Sequence, residues 1–60
     1  MIEKELGYYT EEYGVENIAH LLQITPSELQ KIINYETQVT PEAIERIRSQ
    51  LLLLARLTNN

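Results

Sequence analysis

The chain has 60 residues, no Cys, no Asp and a formal net charge of −4. One domain is the most this length allows, with about 60% of the unfolded chain's surface buried, and without Cys there is neither a disulfide staple nor a thiolate metal centre. The longest purely apolar run, Leu51–Ala55, falls far short of the ~20 residues that span a bilayer, and the opening MIEKELGYY lacks the basic-then-apolar form of a secretion signal.

Ile2, Leu6, Tyr9 and Tyr13 recur at spacings of four, three and four, which predicts a helix over about 2–13 with these side chains in the core. Gly7 lies inside that pattern and weakens it by about 1 kcal/mol relative to Ala. Gly14 interrupts it and opens a second helix, 15–22, that turns Ile18, Ala19 and Leu22 inward. Thr25-Pro26-Ser27-Glu28 is a helix start: Thr25 as cap, Pro26 at the first helical position, and Glu28 placed to return to the Thr25 amide as a capping box. The third helix, about 26–34, buries Leu29, Ile32 and Ile33, and Asn34 can close it in a left-handed conformation. A polar loop from Tyr35 to Gln38 leads to Val39, expected to plug the core. Thr40-Pro41-Glu42 then repeats the start signal for a helix over about 41–57. Ile44, Ile47, Leu51 and Leu54 form its inner stripe. Leu52, Leu53 and Leu57 fall off that stripe and need another surface, either a second copy of the chain or a C-terminal kink. Self-association is the favoured expectation.

The fold class expected is all-α: a small four-helix domain, residues 1–60, containing a helix-turn-helix. Two helices meeting steeply need a small residue at their contact and apolar residues locking the turn. Ala19 supplies the first, and Ile18, Leu22, Ile24, Leu29 and Ile32 supply the second. Small proteins place one helix in the DNA major groove this way. The negative charge opposes nucleic acid, but it is confined to residues 1–16, where Lys4 faces five Glu. Residues 17–60 balance four cations against four Glu.

The run VENIAHLLQITPSELQKIINYETQVTPEAIERI, about half the chain, resembles without gaps the DNA-binding headpiece of lactose-repressor-type regulators. It is similar, more loosely, to phage Cro and repressor proteins. Ile18-Ala19, Ile24-Thr25, Leu29, Lys31-Ile32-Ile33-Asn34 and Val39-Thr40 carry the likeness. The resemblance implies that Pro26, Ser27 and Lys31 face base edges, and that Thr25, Gln30, Asn34, Gln38 and Thr40 lie near phosphates. Lys31 can donate to guanine O6 or N7, short hydroxyls and amides to phosphate oxygens, and the amides opening the third helix point the same way. Gln23 stands where that family usually has Gly, which implies either a distorted turn or a left-handed turn that tolerates Gln. Pro26 offers no donor, and no sugar-sensing role is implied.

The expected function is thus a small DNA-binding transcriptional regulator, cytoplasmic and outside any membrane. Double-stranded DNA is its partner, and it acts as a homodimer through Leu52, Leu53 and Leu57. The alternative is a protein-interaction module, such as a phage- or plasmid-type accessory factor, that keeps the helix-turn-helix as scaffold and binds a protein through the C-terminal helix. No enzyme, cofactor or metal site is expected. There is no Ser-His-acid spacing and no phosphate-cradling glycine loop, and Glu16 with His20, four residues apart, is too small a set for zinc. An ion pair or plain exposure is the ordinary role for that His. Tyr8 and Tyr35 are less constrained than Tyr9 and Tyr13 and are free to touch DNA or a partner.

Overall fold

The computed structural model describes residues 1–58, and these form four helices with no strand among them: α1 Ile2–Tyr13, α2 Val15–Leu22, α3 Pro26–Ile33 and α4 Pro41–Thr58. The chain is an all-helical domain, and the helix boundaries fall within one residue of those read from the periodicities. α1 lies across both α2 and α3, and α4 runs against α2. The core collects Ile2 and Leu6 from α1, Ile18, Ala19 and Leu22 from α2, Leu29 and Ile32 from α3, and Ile47 and Leu51 from α4. Each large side chain withdrawn from water here contributes about 1.5–3 kcal/mol. Val39 sits half-buried against this cluster, as its place between polar loop residues predicts.

Each junction has its own local chemistry. Gly14 adopts φ 92°, ψ 144°, a conformation that side chains resist, and so joins α1 to α2 with a single residue. Asn17 Nδ2 donates to Tyr13 O at 2.7 Å, satisfying one of the carbonyls left open where α1 stops. Both Thr-Pro starts are capped by their hydroxyls. Thr25 Oγ1 accepts from Glu28 N at 3.0 Å, and Thr40 Oγ1 accepts from Ala43 N at 3.2 Å. The reciprocal half of the Thr25 capping box is missing among the described residues. Glu28 does not return to the Thr25 amide.

Several expectations change. Tyr13 is exposed and Tyr9 only half-buried, because α1 stops at Tyr13 and leaves its ring at the rim. There it stacks on Tyr9 with centroids 6.2 Å apart. Ile33 is only half-buried, packed at the edge of the core with Gly7 of α1 as a neighbour. Asn34 caps α3 at φ −87°, ψ 7°, and Tyr35 takes the left-handed position instead, at φ 62°. Of the two ordinary roles expected for His20, plain exposure holds: Glu16 and His20 are both exposed and form no ion pair with each other. The one pair between side chains among the described residues is Arg48 Nη2 to Glu5 Oε2 at 3.1 Å, tying α4 to α1. Its partners remain substantially exposed, so it is worth about 0.2–1 kcal/mol.

Candidate functional site

α3 is short, and its two faces are sharply divided. Leu29 and Ile32 are buried, while Ser27, Gln30, Lys31 and Asn34 are exposed. At about 100° per residue these four fall within an arc of about 100°, opposite the buried pair. Pro26 and Glu28, also exposed, flank the arc on either side. The remaining residues singled out in the sequence, Thr25, Gln38 and Thr40, are exposed as well. All eight predicted contact residues therefore stand at the surface, as does Glu28, and neither the Tyr9/Tyr13 segment nor α4 covers the polar face of α3.

The two capping threonines retain chemistry beyond their helices. Each hydroxyl oxygen accepts from a backbone N–H, which leaves its own hydrogen free to donate outward. Lys31 is exposed and has no carboxylate within ion-pair distance among the described residues, Glu28 included. Its ammonium is the one full positive charge on the face.

The connection preceding α3 is three residues long, Gln23–Thr25. Gln23 adopts the left-handed conformation, φ 60°, ψ 40°, and its N–H reaches the Ala19 and His20 carbonyls. Ile24 N follows with a 3.0 Å bond to Ala19 O, and the Ile24 side chain packs on the core. This pairing is the double backbone closure that ends a helix tightly. Ala19, 1% exposed, is buried in the core beside Ile18 and Leu22.

Beyond α3, the loop carrying Gln38 and Thr40 walls a cleft of about 210 Å³ against α2, α3 and α4. Leu22, Ile32 and Ile47 line it, with Glu28 and Arg46 among its polar groups. No sequence pattern marked this cleft, because it arises where a loop fails to fill the angle between two helices.

A second surface lies on α4. Leu52, Leu53 and Leu57 are 57%, 50% and 69% exposed, and no C-terminal kink folds them inward. They do not form one stripe. Leu52 lies on the α1 side, beside Tyr9, Arg48 and Ala55, while Leu53 and Leu57 lie on the opposite flank of the packed face. Among the described residues, no three His, Cys, Asp or Glu side chains gather as metal ligands, and no helix is long and apolar enough to cross a membrane.

No protein-family model, curated protein or solved structure matches this chain.

Proposed function

We propose that this protein binds double-stranded DNA as a small transcriptional regulator, with α3 in the major groove and α2 bracing it from behind. Pro26, Ser27 and Lys31 would face base edges. Thr25, Gln30, Asn34, Gln38 and Thr40 would lie along the phosphates. The observation that supports this most is the uncovered polar arc of Ser27, Gln30, Lys31 and Asn34, set on a helix whose other side is anchored in the core. Amides and hydroxyls suit phosphate oxygens, and a lone lysine suits a guanine edge. The cytoplasm is where such a regulator would act.

One cation on the face means little counterion release, so a single copy would bind weakly. Pairing of two copies across the broad outward side of α4, which Leu52 borders on one flank and Leu53 and Leu57 on the other, would present two reading helices and multiply the affinity. Titration of isotope-labelled protein with random duplex at low salt tests the reading. Shifts centred on Thr25–Asn34 and Gln38–Thr40, weakening steeply as salt rises, are expected. Unmoved signals in those segments at millimolar duplex would end it. Sedimentation across a concentration series tests the pairing, with dimer expected for the natural chain and monomer for Leu57→Glu.

A second reading has its own observation. The three exposed leucines of α4, on a chain of net charge −4, suit a protein-interaction module that uses the helical scaffold without DNA. In that case a partner protein shifts the α4 signals and leaves α3 silent.

A further inference from the structure

The chain closes two consecutive helices with the same backbone device, and in neither does it use glycine. At the end of α2, Gln23 is left-handed, and Ile24 N bonds Ala19 O across six residues. At the end of α3, Tyr35 is left-handed at φ 62°, Tyr35 N bonds Ile32 O at 3.1 Å, and Glu36 N bonds Lys31 O at 2.8 Å. Glycine is the residue this position favours, because any Cβ crowds the carbonyl that follows it. The α1–α2 junction does use glycine, Gly14 at φ 92°. The two non-glycine closures thus bracket α3, the helix that carries the polar face.

Tyr35 is the harder of the two to explain by folding alone. An aromatic residue gains nothing from the left-handed region that would favour it over Asn or Gly. Its ring is 58% exposed and contributes little to the core. Among the described residues the one hydrogen bond from its phenol goes to the Met1 sulfur at 3.1 Å, and Met1 is itself 70% exposed. A thioether is among the weakest acceptors a protein offers. The donor is therefore held loosely, one residue beyond Asn34, the last member of the exposed arc.

We propose that Tyr35 is a phosphate-contact residue at the C-terminal end of α3, its phenol exchanging the Met1 sulfur for a backbone phosphate oxygen of the bound duplex. A charged oxygen is a far stronger acceptor than the sulfur it replaces, so the exchange favours the complex. This inference rests on the DNA reading above. The conformational strain at position 35 is then kept for a contact made only with the partner.

Three variants and the natural chain test it, read by thermal melting and by duplex titration at low salt. Gln23→Gly measures what relief of a left-handed side chain is worth in this fold, and a rise of about 4 °C is expected. Tyr35→Gly should raise the melting temperature similarly while weakening duplex binding by about tenfold. Tyr35→Phe should keep the natural melting temperature and lose most of the same affinity, since only the donor is removed. A lower melting temperature for Tyr35→Gly would make the ring a structural strut for α1 and overturn the proposal. So would a duplex affinity within twofold of the natural chain in both Tyr35 variants. A natural chain that binds no duplex at all would instead remove the DNA reading, and this inference with it.

Discussion

α3 and α4 begin alike and end with opposite surfaces. Each opens with Thr-Pro, each has its threonine hydroxyl on the third amide of the helix, and each buries two residues completely enough to anchor it. Yet the outward side of α3 is amide, hydroxyl and one ammonium, while the later outward turns of α4 expose three leucines beside Arg56 and Thr58. The start signals govern where a helix begins and are indifferent to what it will present. Presentation is set by which residues fall outside the packed arc. In α3 these are mostly polar and suit a polar, hydrogen-bonding partner; in the last turns of α4 they include Leu52, Leu53 and Leu57, which suit a partner that excludes water.

The sharpest way to break that contrast is to attack the anchors. Leu29, 0% exposed, holds the polar face of α3 in register, so Leu29→Ala should cost about 2–5 kcal/mol in urea unfolding. Leu53→Ala, at a half-exposed position on α4, should change monomer stability by less than about 0.5 kcal/mol. Equal losses would mean that the α4 leucines belong to the fold rather than to a partner.

Next in size is the polar face itself. Lys31→Ala should weaken duplex binding by about 1–3 kcal/mol and flatten its salt dependence, with the melting temperature unchanged. Unaltered affinity would take Lys31 out of the site. The shared start signal is a smaller lever. Thr25→Ala and Thr40→Ala should each cost about 1 kcal/mol by thermal melting, and similar values would show that the two helices differ in surface alone. A further small effect belongs to α1, where Gly7 faces α3. A Cβ on Gly7 would stand 3.9 Å from Ile33 Cγ2, an ordinary contact in a helix interior, so Gly7→Ala should stabilise by about 0.4–1 kcal/mol. The same change at Gly14 should act in the opposite direction, since no side chain is at ease at φ 92°.

Much of this was legible in the chain. The spacings of Ile2, Leu6 and Tyr9, and of Ile44, Ile47 and Leu51, placed α1 and α4. The paired Thr-Pro signals placed the starts of α3 and α4. The left-handed Gln23 was one of two outcomes that the family resemblance offered for that turn, and nothing in the local sequence chose between them. What escaped were the ends and the gaps. Tyr13 belongs to a helical stripe yet lies at the end of α1, at the rim of the core, where its ring meets Tyr9 and remains exposed. Tyr35 rather than Asn34 took the left-handed position, because the tight double closure of α3 puts that conformation one residue later. The cleft beside Gln38 and Thr40 exists only once α4 has chosen its angle.

By itself the sequence determined which residues make helices, where those helices start, and which side of each faces inward. These are matters of periodicity and capping, decided within a few residues along the chain. Only the tertiary structure decided that the Ser27–Asn34 arc stands uncovered, that Leu52, Leu53 and Leu57 remain in water, and that Arg48 finds Glu5. Exposure depends on which neighbours arrive from elsewhere in the chain, and no local pattern encodes that arrival.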